Sequence, residues 1–297
     1  MRRELAAVYD ELVRRQKEGD RSVYLSDESV ELMREVAHEA KLEGRASSPP
    51  AVDETELVPP PVAEKAKKKV AKKATKPAIE VPEAPAVTLP EGSKQERWNA
   101  LKEMVLKDEW CISQVKPEKK VVLGVGSLDA RIFFCGEAPG ADEEIQGEPF
   151  VGPAGQLLTK IIQAMGLKRE DVYIGNIMNY RPPMPTAIGN RPPELNEMAY
   201  CLPYLKAQLE IVQPDVIVTL GNTAVEGLLG HDPKRKISMI RGKWFEFDGV
   251  PLIPTFHPSY LLRNQSNATK RKVWEDMLKV MEKLEMPISE KQRGFFL

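Results

Sequence analysis

From Ser93 onward the apolar residues fall into two alternating kinds of run. Trp98, Leu101, Met104 and Val105 recur at the spacing of one helix face, and helical periodicity returns at Gln156–Met165, Pro193–Val212, Asn222–Leu228 and Thr269–Leu284. Between them stand short, nearly continuous apolar runs at Arg131–Cys135, Asp171–Gly175, Pro214–Leu220 and Pro251–Thr255, which read as strands buried on both faces. Strands alternating with helices predict an α/β protein, a three-layer α/β/α sandwich around a mainly parallel sheet, spanning residues 93–288 with a short tail at 289–297.

The pattern ahead of Ser93 is different. Leu5, Val8, Tyr9, Leu12 and Val13, then Val30, Leu32, Met33, Val36 and Ala37, predict two short helices in a small segment over residues 1–45. It has no cluster of reactive side chains and is read as an accessory hairpin for a protein partner. Residues 46–92 shift to Pro, Ala, Val, Lys and Glu, a composition with too little apolar surface to fold alone, so they are expected to form a disordered linker. The lysine run from Lys65 to Lys76 inside it has two readings, a solvated linker or a tether to phosphate backbones.

Composition narrows the class without naming it. The chain has 297 residues, formal net charge −1 and 42% hydrophobic residues, as for a soluble monomer with one core of moderate size. No apolar run spans a membrane, and the start lacks the apolar stretch of a signal peptide, so a cytoplasmic protein is expected. Three cysteines, Cys111, Cys135 and Cys201, are too few for a disulfide framework.

In parallel sheets, sites lie beyond the carboxyl ends of the strands. Those ends read Gly136-Glu137, Asn176, Gly221-Asn222 and Phe256-His257-Pro258-Ser259. The first opens a stretch to Gly155 that holds five glycines and three prolines together with Glu137 and Glu143, the pattern of a stiff loop whose backbone approaches a ligand closely.

Gly136-Glu-Ala-Pro-Gly140, Gly147-Glu-Pro-Phe-Val-Gly152, Asn176 and His257-Pro-Ser-Tyr-Leu-Leu-Arg263, in this order and spacing, resemble the family 4 uracil-DNA glycosylases. The resemblance covers roughly Ser93 to Leu284. It implies excision of flipped-out uracil from single- or double-stranded DNA by hydrolysis of the N-glycosidic bond, leaving an abasic site. Such chemistry needs carboxylate near the developing sugar cation and donors near the departing base, which Glu137, Glu143 and His257 can supply as catalytic residues.

The resemblance further implies a base pocket of Gly136, Ala138, Phe150 and Asn176, with Phe150 as the stacking shelf and Asn176 reading uracil O4 and N3–H. The best-known uracil family carries an aspartate where this chain has Ala138. Pro258, Ser259, Leu261 and Arg263, with Arg181 and Asn190, are expected at the DNA, where Leu261 and its neighbours wedge into the gap left by the flipped nucleotide. His231, in a turn before Asp232-Pro233, has no comparable context.

One departure changes the picture. Members of the resembling family normally bind a four-iron, four-sulfur cluster through four cysteines. Here Cys111 and Cys201 occupy two of those positions, while Gln114 and Tyr180 stand at the others, so no cofactor is expected. Two further readings accompany the enzyme: a uracil-DNA binding protein of the same fold with little or no turnover, and a tethering protein working through Met1–Gly92. A related group that traps DNA covalently uses a histidine in an inserted basic loop, and the chain shows no such insertion.

Overall fold

The computed structural model describes residues 80–184 and 190–297. The expected N-terminal helices and the lysine run lie outside the described residues. Residues 80–92 carry no regular element, yet Val81, Val87 and Leu89 pack against the core, so the folded unit starts ahead of Ser93.

Ile132–Gly136, Tyr173–Asn176, Val216–Leu220 and Val250–Thr255 form four parallel strands, β2, β3, β4 and β6. All are fully buried except the start of β6, which is why each reads as a continuous apolar run rather than an alternating one. Two short antiparallel strands, β1 (Val125–Gly126) and β5 (Phe245–Phe247), close the edges in the order β1-β3-β2-β4-β6-β5. Neither was legible in the apolar pattern, because two or three half-exposed residues at a sheet edge leave no periodic signal.

Successive strand residues face opposite layers. Phe133, Cys135, Tyr173, Ile217 and Leu252 join one core with α1 (Lys94–Lys107), α2 (Glu109–Gln114), α5 (Leu195–Val212) and α6 (Asn222–Leu229). Ile132, Phe134, Ile174, Val216, Val218 and Ile253 join the other with α4 (Pro153–Ala164) and α9 (Asn267–Lys283). The three-layer sandwich follows directly.

Register then positions the site. Gly136 pairs with Asn176, Cys135 with both Gly175 and Thr219, and Leu220 with Thr255, so the carboxyl ends of all four parallel strands lie at one level. That end is anchored by Asp276 of α9, which accepts hydrogen bonds from Thr255 Oγ1 at 2.7 Å and from Arg241 at 2.7 and 3.0 Å. The tail folds too: α10 (Glu290–Arg293) offers the Gln292 carbonyl to Trp274, and Phe295 packs on the Trp274 ring at 5.2 Å. Among the described residues no helix is long and apolar enough to cross a membrane.

Candidate functional site

Parallel pairing between β2 and β3 runs on past both strands. The Ile177 N–H donates to the Gly136 carbonyl at 3.0 Å and the Met178 N–H to the Glu137 carbonyl at 3.1 Å, which fixes Glu137 beside Asn176. Gly136 then serves by having no side chain. A methyl group there would lie 2.4 Å from Asn176 Oδ1 and 2.5 Å from the Phe150 ring, so the space over Gly136 is where these two groups converge. Asn176 is 6% exposed, and its Oδ1 has no hydrogen-bond partner among the described residues. A buried acceptor left open costs on the order of 1–3 kcal/mol, unless a ligand satisfies it.

Phe150 is held there by its backbone. It adopts a left-handed conformation, φ 54°, and a methyl on Gly155 would meet its carbonyl oxygen at 1.9 Å, so the helix start of α4 is pressed against it. Arg169 donates to the preceding Pro149 carbonyl at 2.5 Å. The stretch from Gly136 to Gly155 is not loop throughout: α3 (Ala141–Gln146) sits inside it, and α4 begins at Pro153, ahead of the expected Gln156.

Glu143 lies in the first turn of α3. Its carboxylate accepts from the backbone N–H groups of Gly140 at 3.1 Å and of Val151 and Gly152 at 3.0 Å each. One side chain thus ties both ends of the loop together. Ala138, half-buried, packs on the core rather than offering any polar group.

His257 caps α8 (Pro258–Arg263), with Pro258 at the first helical position, where no N–H is needed. Its Nδ1 accepts from the Ser259 N–H at 3.1 Å and lies 2.8 Å from Ser259 Oγ. An Nδ1 that accepts leaves the proton on Nε2, so that nitrogen is a neutral donor. Burial lowers the His257 pKa to about 4, with the positive charge of Arg263 acting in the same direction. The His257 and Phe150 rings stand 5.6 Å apart. Gly221, φ 92°, leaves room for His257, whose Cβ would come within 3.2 Å of any side chain there.

Glu137 is half-buried, and burial raises its pKa, as does the charge of Glu226, while a hydrogen bond with Thr223 opposes the rise. Thr223 and Glu226 lie on α6, one turn apart, and Asn222 donates to Glu226 at 3.1 Å. His231 reaches the same Glu226 at 3.4 Å, so it belongs to the outer part of this polar group. No motif along the chain marks Thr223 or Glu226: the parallel β2–β4 pairing brings α6 next to Glu137.

The residues expected at DNA separate into two groups. In α8, Leu261 turns inward, 4% exposed, to pack with Phe256 and Val273, whereas Tyr260, Leu262 and Arg263 are exposed. Elsewhere, Arg181 donates to Asn190 at 2.8 Å and to Glu144 at 2.9 Å, and Arg191 is committed to the buried Glu197 at 2.6 Å. The bond between Arg181 and Asn190 pairs two of the residues expected at DNA with each other.

The donor set does not fit a four-iron cluster. Cys111 and Cys201 lie thiol against thiol and fully buried, and the Cys201 sulfur together with burial pushes the Cys111 thiol up. Tyr180 is fully buried with its hydroxyl bonded to Trp110 Nε1 at 3.2 Å, and Gln114 bonds Ser113. Two thiols, a phenol and an amide cannot replace four thiolates. Among the described residues no group of three or more His, Cys, Asp or Glu side chains is placed to hold a metal.

Residues 123–278 match the family model of the uracil DNA glycosylase superfamily. The type-4 uracil-DNA glycosylase of Thermotoga maritima is 45% identical over 188 residues, covering 63% of this chain and 94% of the relative. Those of Saccharolobus solfataricus and Archaeoglobus fulgidus are 40% and 42% identical, covering 57% and 50% of this chain and 78% and 74% of the relatives. With the sheet, the Phe150 ring and the histidine-capped helix in the places described, the chain belongs to the uracil DNA glycosylase superfamily and, within it, to the type-4 uracil-DNA glycosylases.

Proposed function

We propose that this protein excises uracil from DNA as a monofunctional glycosylase of base-excision repair and leaves the abasic strand uncut. The observation that carries the reading is the open Oδ1 of Asn176, buried beside Phe150 over a bare Gly136. A uracil flipped into that space stacks on Phe150, donates N3–H to Asn176 Oδ1 and accepts at O4 from the amide nitrogen. Cytosine presents the opposite pattern and leaves buried groups unpaired.

In the reaction the C1′–N1 bond breaks with its electron pair departing on the base, and water adds at C1′. His257 contributes a neutral Nε2–H to O2 of the base as negative charge grows there, a fixed donor that needs no reorganisation. Glu137 faces the sugar side, where its carboxylate positions water and stabilises the cation. Glu143 works through the loop: its three backbone bonds hold Phe150 in place, making it a positioning residue. Tyr260 and Leu262 form the exposed part of the wedge, with Leu261 supporting it from below, and Arg263 meets phosphate. No iron cluster takes part, because Tyr180 and Gln114 offer none of the missing thiolates.

The test is single-turnover release of free uracil from a uracil-containing oligonucleotide, with alkali cleavage to reveal the abasic site. Stoichiometric uracil and an alkali-labile strand are expected. Tight binding with no released uracil would show a binding protein instead and overturn the enzymatic reading.

A further inference from the structure

We infer that a second surface, carrying Lys234, Lys236 and Lys243 around Trp244, grips the phosphate backbone of DNA flanking the flipped nucleotide; this rests on the reading of the adjoining pocket as a uracil site. From Lys234 to Phe245 the chain has five basic residues and no acidic one. Two of the five are engaged internally: Arg241 with Asp276, and Arg235 with the Gly230 carbonyl at 2.9 Å and Asp232 at 4.0 Å. The three lysines are exposed and form no ion pair among the described residues. Uncompensated cations that share one short segment create a positive field with no folding role to account for it.

Their place in the fold gives that field a direction. Lys236 leads into α7 (Ile237–Ile240), whose Ile237 packs on the cluster of Phe256 and Leu261 beneath the wedge helix. Gly242 donates to the Pro254 carbonyl at 2.9 Å, so Lys243 and Trp244 emerge at the carboxyl end of β6, the end from which His257 projects. Arg263, exposed on α8, continues the same sign of charge from the pocket side. Met239 and Trp244, 64% and 40% exposed, set apolar surface among the cations. An indole beside lysines suits sugar and base faces next to phosphates. Continuity with the pocket selects DNA over other polyanions.

The experiment compares wild type with the Lys234→Ala, Lys236→Ala, Lys243→Ala triple variant on two probes, a uracil-containing duplex of about 30 base pairs and a single-stranded uracil oligonucleotide of about five nucleotides. Each phosphate contact contributes about 0.9 to the slope of log affinity against log salt, so losing three should flatten the duplex slope by about 2–3. Duplex affinity at low salt should fall at least tenfold, while affinity for the short probe and the saturating single-turnover rate stay within about twofold. An unchanged duplex slope overturns the proposal, as does an equal loss on the short probe, which would put the lysines at the pocket itself. A wild-type protein that binds duplex but releases no uracil fails the reading of the pocket, while the slope difference still decides the lysine surface.

Discussion

Two polar regions of this molecule end in opposite states of hydrogen bonding. Under α2 and α5, Asp108 accepts hydrogen bonds from the Cys111 N–H at 2.6 Å, Tyr204 at 2.7 Å and Tyr200 at 2.8 Å, and Tyr180 is bonded to Trp110. Burial alone would raise the Asp108 pKa, yet these bonds hold it below the ordinary carboxylate value. At the carboxyl end of the sheet, by contrast, Asn176 Oδ1 has no partner among the described residues, Phe150 is left-handed and His257 is kept neutral. Satisfied polar groups hold a structure together; unsatisfied ones, kept in place by the fold, are what a ligand completes.

The comparison can be broken at either region. Gly136→Ala should have the largest effect, because its methyl occupies the space between Asn176 and Phe150. Uracil release should drop by about a thousandfold, the equivalent of about 4 kcal/mol, and the melting temperature should fall by several degrees as well, because the methyl overpacks a buried strand end. Asn176→Ala should lower kcat/KM about a hundredfold while leaving stability equal or higher, since it removes a polar atom the free protein cannot satisfy. The same deletion under α2 should do the reverse. Asp108→Ala, which orphans two tyrosine hydroxyls and a backbone N–H, should cost about 2–4 kcal/mol in denaturant unfolding and leave the single-turnover rate intact.

The smallest effects are in pH. His257 is neutral in the folded protein above about pH 4. Single-turnover rates should therefore show no break near the ordinary histidine value of 6.5. The unfolded chain binds this proton first as pH falls, so the His257 contribution lowers stability from about pH 6.5 down to about 4. Asp108 has the depressed carboxylate sign: its stabilisation is present above its ordinary 3.8 and is lost as pH falls through its lower folded value. Chemical denaturation at a series of pH values, with Asp108→Asn as the control, separates the two.

Much of the fold was legible because strands buried on both faces must be apolar throughout, and four such runs alternating with helices admit few arrangements. Edge strands β1 and β5 were not, nor was α3, whose Ala141–Gln146 sequence is mostly polar. Gly136, Phe150, Asn176 and His257 were singled out from strand ends and the family resemblance, and the structure brings them near one another. The sequence could place Glu143 on the loop but not say what its carboxylate bonds. It could not tell Leu261 from Leu262 either, since one residue along a short helix rotates a side chain by about 100° and decides between core and solvent.

What the sequence by itself determined is the order of the four parallel strands and the longer helices between them, and the residues that follow each of those strands. Each is a local property of composition and spacing. What only the tertiary structure decided is which of those residues meet. Gly136 and Asn176 are forty residues apart in the chain, and it is parallel pairing in one register, Gly136 against Asn176, that brings the two strand ends together. Hydrogen-bond satisfaction is a property of neighbours in space, so no reading along the chain could show that Asp108 is complete while Asn176 Oδ1 lacks a partner among the described residues.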